Sequence, residues 1–332
     1  MKLKLGLIAG IAAGCVLTVG LLLWFGLQDI GHALAVAGWT GLFAVTAVHI
    51  PSMALCGLAW YQVTPQAPPR SNLRFVEARW VRDGAGALIA VLPISGELMA
   101  LRILGLMGLG TGAATASIVV DLTAELISQF LYTVTGVGLL SLHETQSPVM
   151  WWAAAGLLLS VPLLAGLVVV QRFGFMPMVD WLSARLADSM HLQVKRAAHS
   201  LQAGIEAIYH RPRRVIMGVL MHFAAWIIGA AETWVGAALL GHPLLAWEVL
   251  VVESLVYALR TAVFFIPSGL GVQEGGYVVV GALFGLDPQS ALALSILKRG
   301  RDLILAAPAL LWWQAVESRR FLASRVRTHR EP

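Results

Sequence analysis

The chain has 332 residues, of which 58% are hydrophobic and 12% are charged, and its mean hydropathy is +0.77. So apolar a composition excludes a soluble globular domain and predicts an all-α polytopic membrane protein, built as one integral membrane domain over residues 1–332. The sequence pI is about 9.6, but the lysines and arginines flank apolar segments and form no basic face exposed to water. We therefore expect no nucleic-acid partner.

Apolar runs divide this domain into five parts. These are an N-terminal span (1–36), a first repeat (37–140), a connecting span with an amphipathic segment (141–212), a second repeat (213–316) and a basic tail (317–332). Leu5 to Leu27 is long enough to cross a bilayer, at about twenty residues per span, and Gln28 to His32 is expected to be a short loop. Four arginines between Thr64 and Asp83 predict an interfacial helix on the basic side of the membrane.

Two segments, at about 84–110 and 247–286, combine apolar sequence with prolines, glycines and charges. A membrane helix breaks its backbone only where protein or a water-filled cavity satisfies the freed peptide groups. Ionisable side chains at the same depth also need a polar cavity or partners. We therefore predict two broken or re-entrant helical hairpins, which mark the functional centre of the protein.

The two segments align when Glu97 is placed on Glu274, an offset of 177 positions that needs no gap for the next thirty residues. Charged positions then coincide, since Asp121 falls on Lys298 and a second charged pair follows four residues later. Chance explains a few matches between common apolar residues, but the equal depth of the charges favours an internal repeat.

The basic residues indicate the orientation of the chain. Of the 23 lysines and arginines, eighteen lie in segments that alternate crossing places on one side, and the other five belong to the repeats. By the positive-inside rule that side, with both termini, is cytoplasmic, as expected for a multi-pass protein of a bacterial inner membrane. The spans 37–61 and 214–238 then run in opposite directions, so the repeats are inverted, an architecture that recurs in transporters.

Residues that break helices or carry charge within the repeats are the candidate substrate and translocation path. They are Glu97, Arg102, Asp121, Glu125, Arg260, Pro267, Gly269, Gly271, Glu274, Lys298, Arg299, Arg301 and Asp302. Because buried charges without partners are costly, we expect Asp121 and Lys298 to pair across a pseudo-two-fold axis. Such pairs either line a polar route or only hold helices together. Glu97 and Glu274 either cap half-helices or exchange a proton.

The remaining polar residues point to no catalytic chemistry. His49 and His222 are isolated within spans and are expected to bond backbone carbonyls, and Glu232 and Glu253 have no ligand-like spacing with them. Since neither a nucleophile–base pair nor a metal-binding pattern is visible, we expect no catalytic residues, no cofactor, no metal and no enzyme activity.

The segment Ile266 to Glu274, reading IPSGLGVQE, and the cluster Lys298 to Asp302 resemble the lysylphosphatidylglycerol synthase transmembrane family. Within it, the hopanoid-biosynthesis-associated membrane proteins are most similar, and the likeness covers nearly the whole chain. By position it places Pro267, Gly269, Gly271 and Glu274 in the family motif, with Arg299 and Asp302 in its charged cluster. The first repeat lacks the second glycine of this motif, so an equal role for Glu97 is open.

This resemblance implies a lipid transporter or flippase whose cargo is a hopanoid or an anionic or aminoacylated phospholipid. Membrane lipids are the expected partners, with other lipid-transport proteins as further candidates. Two-domain members of the family add a soluble aminoacyl transferase, which is not expected here. A membrane-embedded enzyme that modifies lipid headgroups and a proton-coupled transporter of small solutes remain as alternatives, because both share the predicted architecture.

The orientation is tested with single cysteines at Gly31, Gln146 and Ser200 in a chain that lacks Cys15 and Cys56. Cysteines at the first two positions are expected to react with an impermeant thiol reagent added outside the cell, because their loops carry no lysine or arginine. The cysteine at Ser200 is expected to react only after the membrane is opened. Labelling of that position from outside would reverse the orientation.

Overall fold

The computed structural model describes residues 15–88, 94–143, 148–174, 179, 188–263, 266 and 269–328. Over these ranges the chain is helical and contains no strand, as the composition predicts. The helices are α1 (Cys15–Trp24), α2 (Leu27–Val63), α3 (Asn72–Leu88), α4 (Ser95–Leu106), α5 (Thr111–His143), α6 (Pro148–Phe173), α7 (Asp188–Tyr209), α8 (Pro212–Leu239), α9 (Ala246–Ala262), α10 (Val272–Gly281) and α11 (Pro288–Thr328).

Four helices in the described ranges, namely α2, α5, α6 and α8, are long and apolar enough to cross a membrane. α6 is the most apolar of the four, and Leu158, Leu159 and Leu163 on it are exposed. Leucine side chains that have no protein neighbour are stable in the hydrocarbon of a bilayer. The predicted class of polytopic helical membrane protein is therefore confirmed.

The helix order shows the internal repeat directly. A long helix, a hairpin of two shorter helices and a second long helix occur first as α2 to α5 and again as α8 to α11. The equivalent helices α2 and α8 pack along their lengths and run antiparallel, since Val63 meets Gly218 near one end and Val45 meets Gly236 near the other. Equivalent helices that run in opposite directions are the arrangement expected of an inverted repeat.

Each hairpin consists of two separate helices: α3 ends at Leu88 and α4 begins at Ser95, while α9 ends at Ala262 and α10 begins at Val272. In the first, the Ser95 hydroxyl donates to the Ala85 carbonyl at 3.3 Å, which brings the start of α4 against the end of α3. In the second, Gly269 and Gly271 have φ of +58° and +76°, values that side-chain-bearing residues rarely adopt. Both hairpins are thus broken helical elements, as predicted. Pro267, the proline of the second break, lies outside the described residues.

The N-terminal part differs from its prediction. Gln28 to His32 belongs to α2 and not to a loop, and the chain bends at Gly38, where φ is +55°. Asp29 lies in the first turn of α2, where a carboxylate interacts favourably with the helix dipole. The polar residues that suggested a loop are therefore the start of a helix.

α3 is also placed differently from the predicted interfacial helix. It packs between α2 and α11, and an added Cβ at Gly57 of α2 would lie 2.6 Å from the Val76 Cα, so the two backbones are in close contact. Arg79 and Arg82 of α3 point into the protein and are buried. The prediction failed because it treated these arginines as headgroup-facing, whereas carboxylates on α5 hold them inside.

The amphipathic helix expected between the repeats is present as α7. Its apolar face buries Ile205 and Ile208 against Ala116 and Val120 of α5. α7 therefore packs against the first repeat.

Candidate functional site

A cavity of about 620 Å³ lies between the two hairpins. Its wall contains residues from α3, α4, α5, α8, α9 and α11 and from the second break. The α5 contribution runs from Leu122 to Gln129, near the middle of that helix, and the α11 contribution is Arg299, Asp302 and Leu303. The cavity therefore lies near the middle of α5 and beside described residues of both hairpins.

The first repeat holds a buried ion cluster beside this cavity, centred on Asp121 of α5. Its Oδ2 accepts from Arg82 of α3 at 2.8 Å, and its Oδ1 lies 2.9 Å from Nε2 of His222 of α8. Asp121 and His222 are completely buried. One carboxylate thus connects three helices, two of which belong to the first repeat.

The same cluster extends from Arg82 and Arg79 to the cavity wall. Arg79 donates to both oxygens of Glu125 at 2.9 Å and to Asp83 at 2.8 Å. Arg82 also approaches Glu97 of α4 at 3.5 Å. A bidentate contact between guanidinium and carboxylate is among the strongest charged hydrogen bonds in proteins, so these groups fix α3 against α5.

The second repeat has a similar cluster in which the charges are reversed, and it is centred on Lys298 of α11. The ammonium donates to the two oxygens of Glu253 of α9 at 2.9 and 2.8 Å and lies 3.9 Å from Glu232 of α8. Arg301 bonds Glu232 at 2.6 Å and Asp302 at 3.0 Å. The first cluster therefore places a carboxylate between an arginine and a histidine, and the second places an ammonium group between two carboxylates.

Hydroxyl and imidazole groups complete the second cluster. Glu253 accepts from Thr233 and from the Tyr277 hydroxyl, and Glu232 contacts His49 of α2. Glu232 and Glu253 are each about 1% exposed. A buried carboxylate is stable only when such partners replace water, and here each has several.

The predicted pairing of Asp121 with Lys298 is wrong. The two positions are equivalent in the repeats, but each bonds the first hairpin helix of its own repeat, through Arg82 on α3 and Glu253 on α9 respectively. Repeat symmetry predicts that the two sites are alike in depth. It does not predict that they touch, because a pseudo-two-fold axis keeps equivalent residues apart unless they lie on it.

Glu274 caps a half-helix, one of its two predicted roles, and it also forms an ion pair. Its Oε2 accepts from the Gly271 backbone N–H at 2.8 Å, which caps α10, and Arg299 of α11 donates to its Oε1 at 2.6 Å. Ser295 also donates to it at 3.2 Å. Arg299 further contacts the Gly269 carbonyl at 3.4 Å, so α11 holds the broken backbone through one side chain. Glu97 makes no such cap at the start of α4.

The predicted path residues fall into three groups. Glu97, Glu125, Arg260, Gly269, Arg299 and Asp302 line the cavity. Asp121, Glu274, Lys298 and Arg301 lie behind its wall in the ion pairs described above. Gly271 lies against Leu17 of α1, and Arg102 points outward to Glu317 at 2.6 Å beside a separate groove of about 290 Å³. Arg102 is therefore outside the central site.

Several site residues were missed from the sequence, namely Arg79, Arg82, His49, His222, Glu232 and Glu253. Both histidines face carboxylates, so the prediction that they bond carbonyls is wrong. Glu232 and Glu253 lie in apolar helices, where an ionisable residue requires a charged partner. If every ionisable residue within an apolar span had been assigned a charged partner, these residues would have been predicted as part of the site.

The fold and the site together define a helical membrane protein with inverted repeats, two broken hairpins and a charged cavity between them. A comparison with protein families identifies the class more closely. The family described as lysylphosphatidylglycerol synthase TM region matches residues 11–309, and the chain belongs to this family. No curated protein and no solved structure matches the chain.

The pairing of Lys298 with Glu253 generates a double-mutant test. Lys298→Met and Glu253→Gln are each expected to cost about 3–5 kcal/mol, because each leaves one buried charge without its main partner. The double variant is expected to lose clearly less than the sum of the two. Thermal unfolding of the purified proteins measures this coupling. As the matched control, Lys298→Met combined with Asp121→Asn is expected to give additive losses, and coupling there would restore the pairing that the structure contradicts.

Proposed function

We propose that the protein is a transporter that moves a lipid between the leaflets of the membrane. The observation that carries this proposal is the charged cavity between two broken hairpins, enclosed by helices whose outer surfaces are apolar. Discontinuous helices that meet between inverted repeats are the recurring binding-site architecture of secondary transporters. Membership of a lipid-linked membrane family supports a lipid as the transported molecule.

The charged wall gives a lipid headgroup a polar environment at a depth where hydrocarbon would otherwise surround it. Moving a polar group into an apolar medium without hydrogen bonds costs roughly 2–7 kcal/mol. Guanidinium, carboxamide and hydroxyl groups from Arg260, Gln129 and Thr261 face the cavity and replace part of the lost hydration. The acyl chains remain in the bilayer while the headgroup crosses through the protein.

The ion pairs within each repeat would hold its hairpin in place, whereas the contacts of Asp121 with His222 and of Glu232 with His49 join the two repeats and would have to change as the halves move. Asp121 joins its partners within the first repeat and on α8, and Lys298 joins its partners within the second repeat. Rocking of one inverted half against the other opens a central site alternately to each side of a membrane. The charged pairs would then be structural supports of the path as well as its polar lining.

We propose a hopanoid or an anionic or aminoacylated phospholipid as cargo, with other lipid-transport proteins as further partners. The proposed location is the bacterial inner membrane, with both termini cytoplasmic, in a single membrane domain. Transport is favoured over a headgroup-modifying enzyme because such an enzyme would need Glu97 or Glu274 as its general base, and both are bound to arginines. A proton-coupled transporter of small solutes would use the same cavity but would leave labelled lipid in its original leaflet.

Glu274→Gln tests the transport path. The amide retains the size of the side chain and part of the cap, but it removes the charge that holds Arg299 at the second break. We expect the variant to fold and to lose most of its activity in a vesicle assay. The assay follows the accessibility to dithionite of nitrobenzoxadiazole-labelled phosphatidylglycerol in vesicles of phosphatidylethanolamine and phosphatidylglycerol. Mass spectrometry of the same lipids is expected to find no covalent change.

Glu317→Gln is the matched control, since Glu317 also pairs with an arginine, but that arginine, Arg102, lines the outer groove. It is expected to translocate lipid at the rate of the unmodified protein. Full activity of Glu274→Gln would show that this glutamate acts as a cap alone. Covalent change of the lipids would instead support the enzyme alternative.

A further inference from the structure

The carboxylates that line the cavity are all engaged by basic side chains. Asp83 and Glu125 bond Arg79 at 2.8 and 2.9 Å, Glu97 lies 3.5 Å from Arg82, and Asp302 lies 3.0 Å from Arg301. A carboxylate held by a guanidinium has little capacity left for a second cation, because its charge is already neutralised. The cavity wall therefore offers no free anionic group to a positively charged ligand.

Arg260 of α9 differs from the other arginines of the wall. Among the residues that the structure describes, no carboxylate lies within ion-pair distance of it, and its guanidinium instead lies 5.3 Å from the centre of the Tyr257 ring. An aromatic face leaves the guanidinium hydrogens free to donate to a ligand. Arg260 is thus a cation of the cavity with unused hydrogen-bond donors.

Other donors surround this arginine. An added Cβ at Gly269 would lie 3.2 Å from Nε of Arg260, and the carbonyl of the same glycine contacts Arg299 from α11. The two arginines therefore flank one turn of broken backbone. Thr261 accepts a hydrogen bond from Gln129 at 2.6 Å, and within the described part of the chain its own hydroxyl hydrogen has no acceptor. A guanidinium with unused donors beside a hydroxyl donor is suited to binding phosphate, while Arg299, which Glu274 already holds, positions the Gly269 backbone beside Arg260.

We propose that Arg260, with Thr261, forms a binding site for the phosphate of an anionic lipid headgroup, beside the turn of backbone that Arg299 holds. This inference rests on the proposed function and chooses among its cargoes, because an anionic phospholipid fits the uncompensated charge. An aminoacylated headgroup would bring an ammonium group to a wall whose carboxylates are already occupied. A neutral polycyclic lipid would leave Arg260 without a counter-charge in the loaded cavity.

Binding of defined lipids to the purified full chain tests this site without requiring transport. Native mass spectrometry from detergent compares phosphatidylglycerol, lysylphosphatidylglycerol and diacylglycerol, and glycerol 3-phosphate serves as the headgroup without its chains. We expect phosphatidylglycerol to bind most tightly. Arg260→Gln is expected to weaken this binding about tenfold or more, as for the loss of a charged hydrogen bond, and to affect diacylglycerol little.

Two further variants keep the test independent of folding. Arg260→Lys retains the charge and is expected to recover part of the affinity, while Arg102→Gln removes an arginine of the outer groove and is expected to leave binding unchanged. Binding of glycerol 3-phosphate that depends equally on Arg260 would identify a free phosphate ester as the ligand and overturn the lipid assignment. Preference for lysylphosphatidylglycerol, or equal binding of diacylglycerol, would overturn the anionic assignment.

Binding and transport measured on the same variants distinguish a failure of the site assignment from a failure of the proposed function. If Arg260→Gln translocates phosphatidylglycerol normally and binds it normally, the site assignment fails and the transporter stands. If phosphatidylglycerol binds through Arg260 but labelled lipid never changes leaflet, the site stands and the transport function fails.

Discussion

The need to pair buried charge determines how this protein is built. An isolated charge in a low-dielectric interior costs several kcal/mol even after relaxation, so each buried ion must find a partner on a neighbouring helix. Asp121 and Lys298 satisfy this requirement in opposite ways, one with Arg82 and His222 and the other with two glutamates. The partners lie on the hairpin helices and on α8, so the position of both hairpins depends on these contacts.

The hairpins in turn create the cavity. α3 and α9 each end near it, so neither helix continues into the space between the repeats. The second break is held from two sides, by the cap from Glu274 and by Arg299, which bonds both that carboxylate and the Gly269 carbonyl. Pairing, broken backbone and cavity are therefore parts of one arrangement, and the proposed lipid path follows from it.

Much of the architecture could be predicted from the sequence because it depends on local patterns. Apolar runs predict the spans, and the offset between Glu97 and Glu274 predicts the repeat. Contacts between helices are different, since they depend on which faces meet. The arginines of α3 suggested an interfacial helix because nothing local shows that Glu125 and Asp121 face them. His222 likewise appears isolated in the sequence, because its partner Asp121 lies on α5 and two further helices, α6 and α7, separate them along the chain.

The central claim is that a lipid headgroup enters the cavity between the hairpins. Photocrosslinking with phosphatidylglycerol that carries a diazirine on its glycerol headgroup tests it directly, with the adducts located by mass spectrometry. The account predicts saturable adducts on residues 122–129 of α5 and 257–261 of α9, which competing unlabelled phosphatidylglycerol abolishes. Adducts confined to the outer surfaces, such as α6 and the groove beside Arg102, would contradict it.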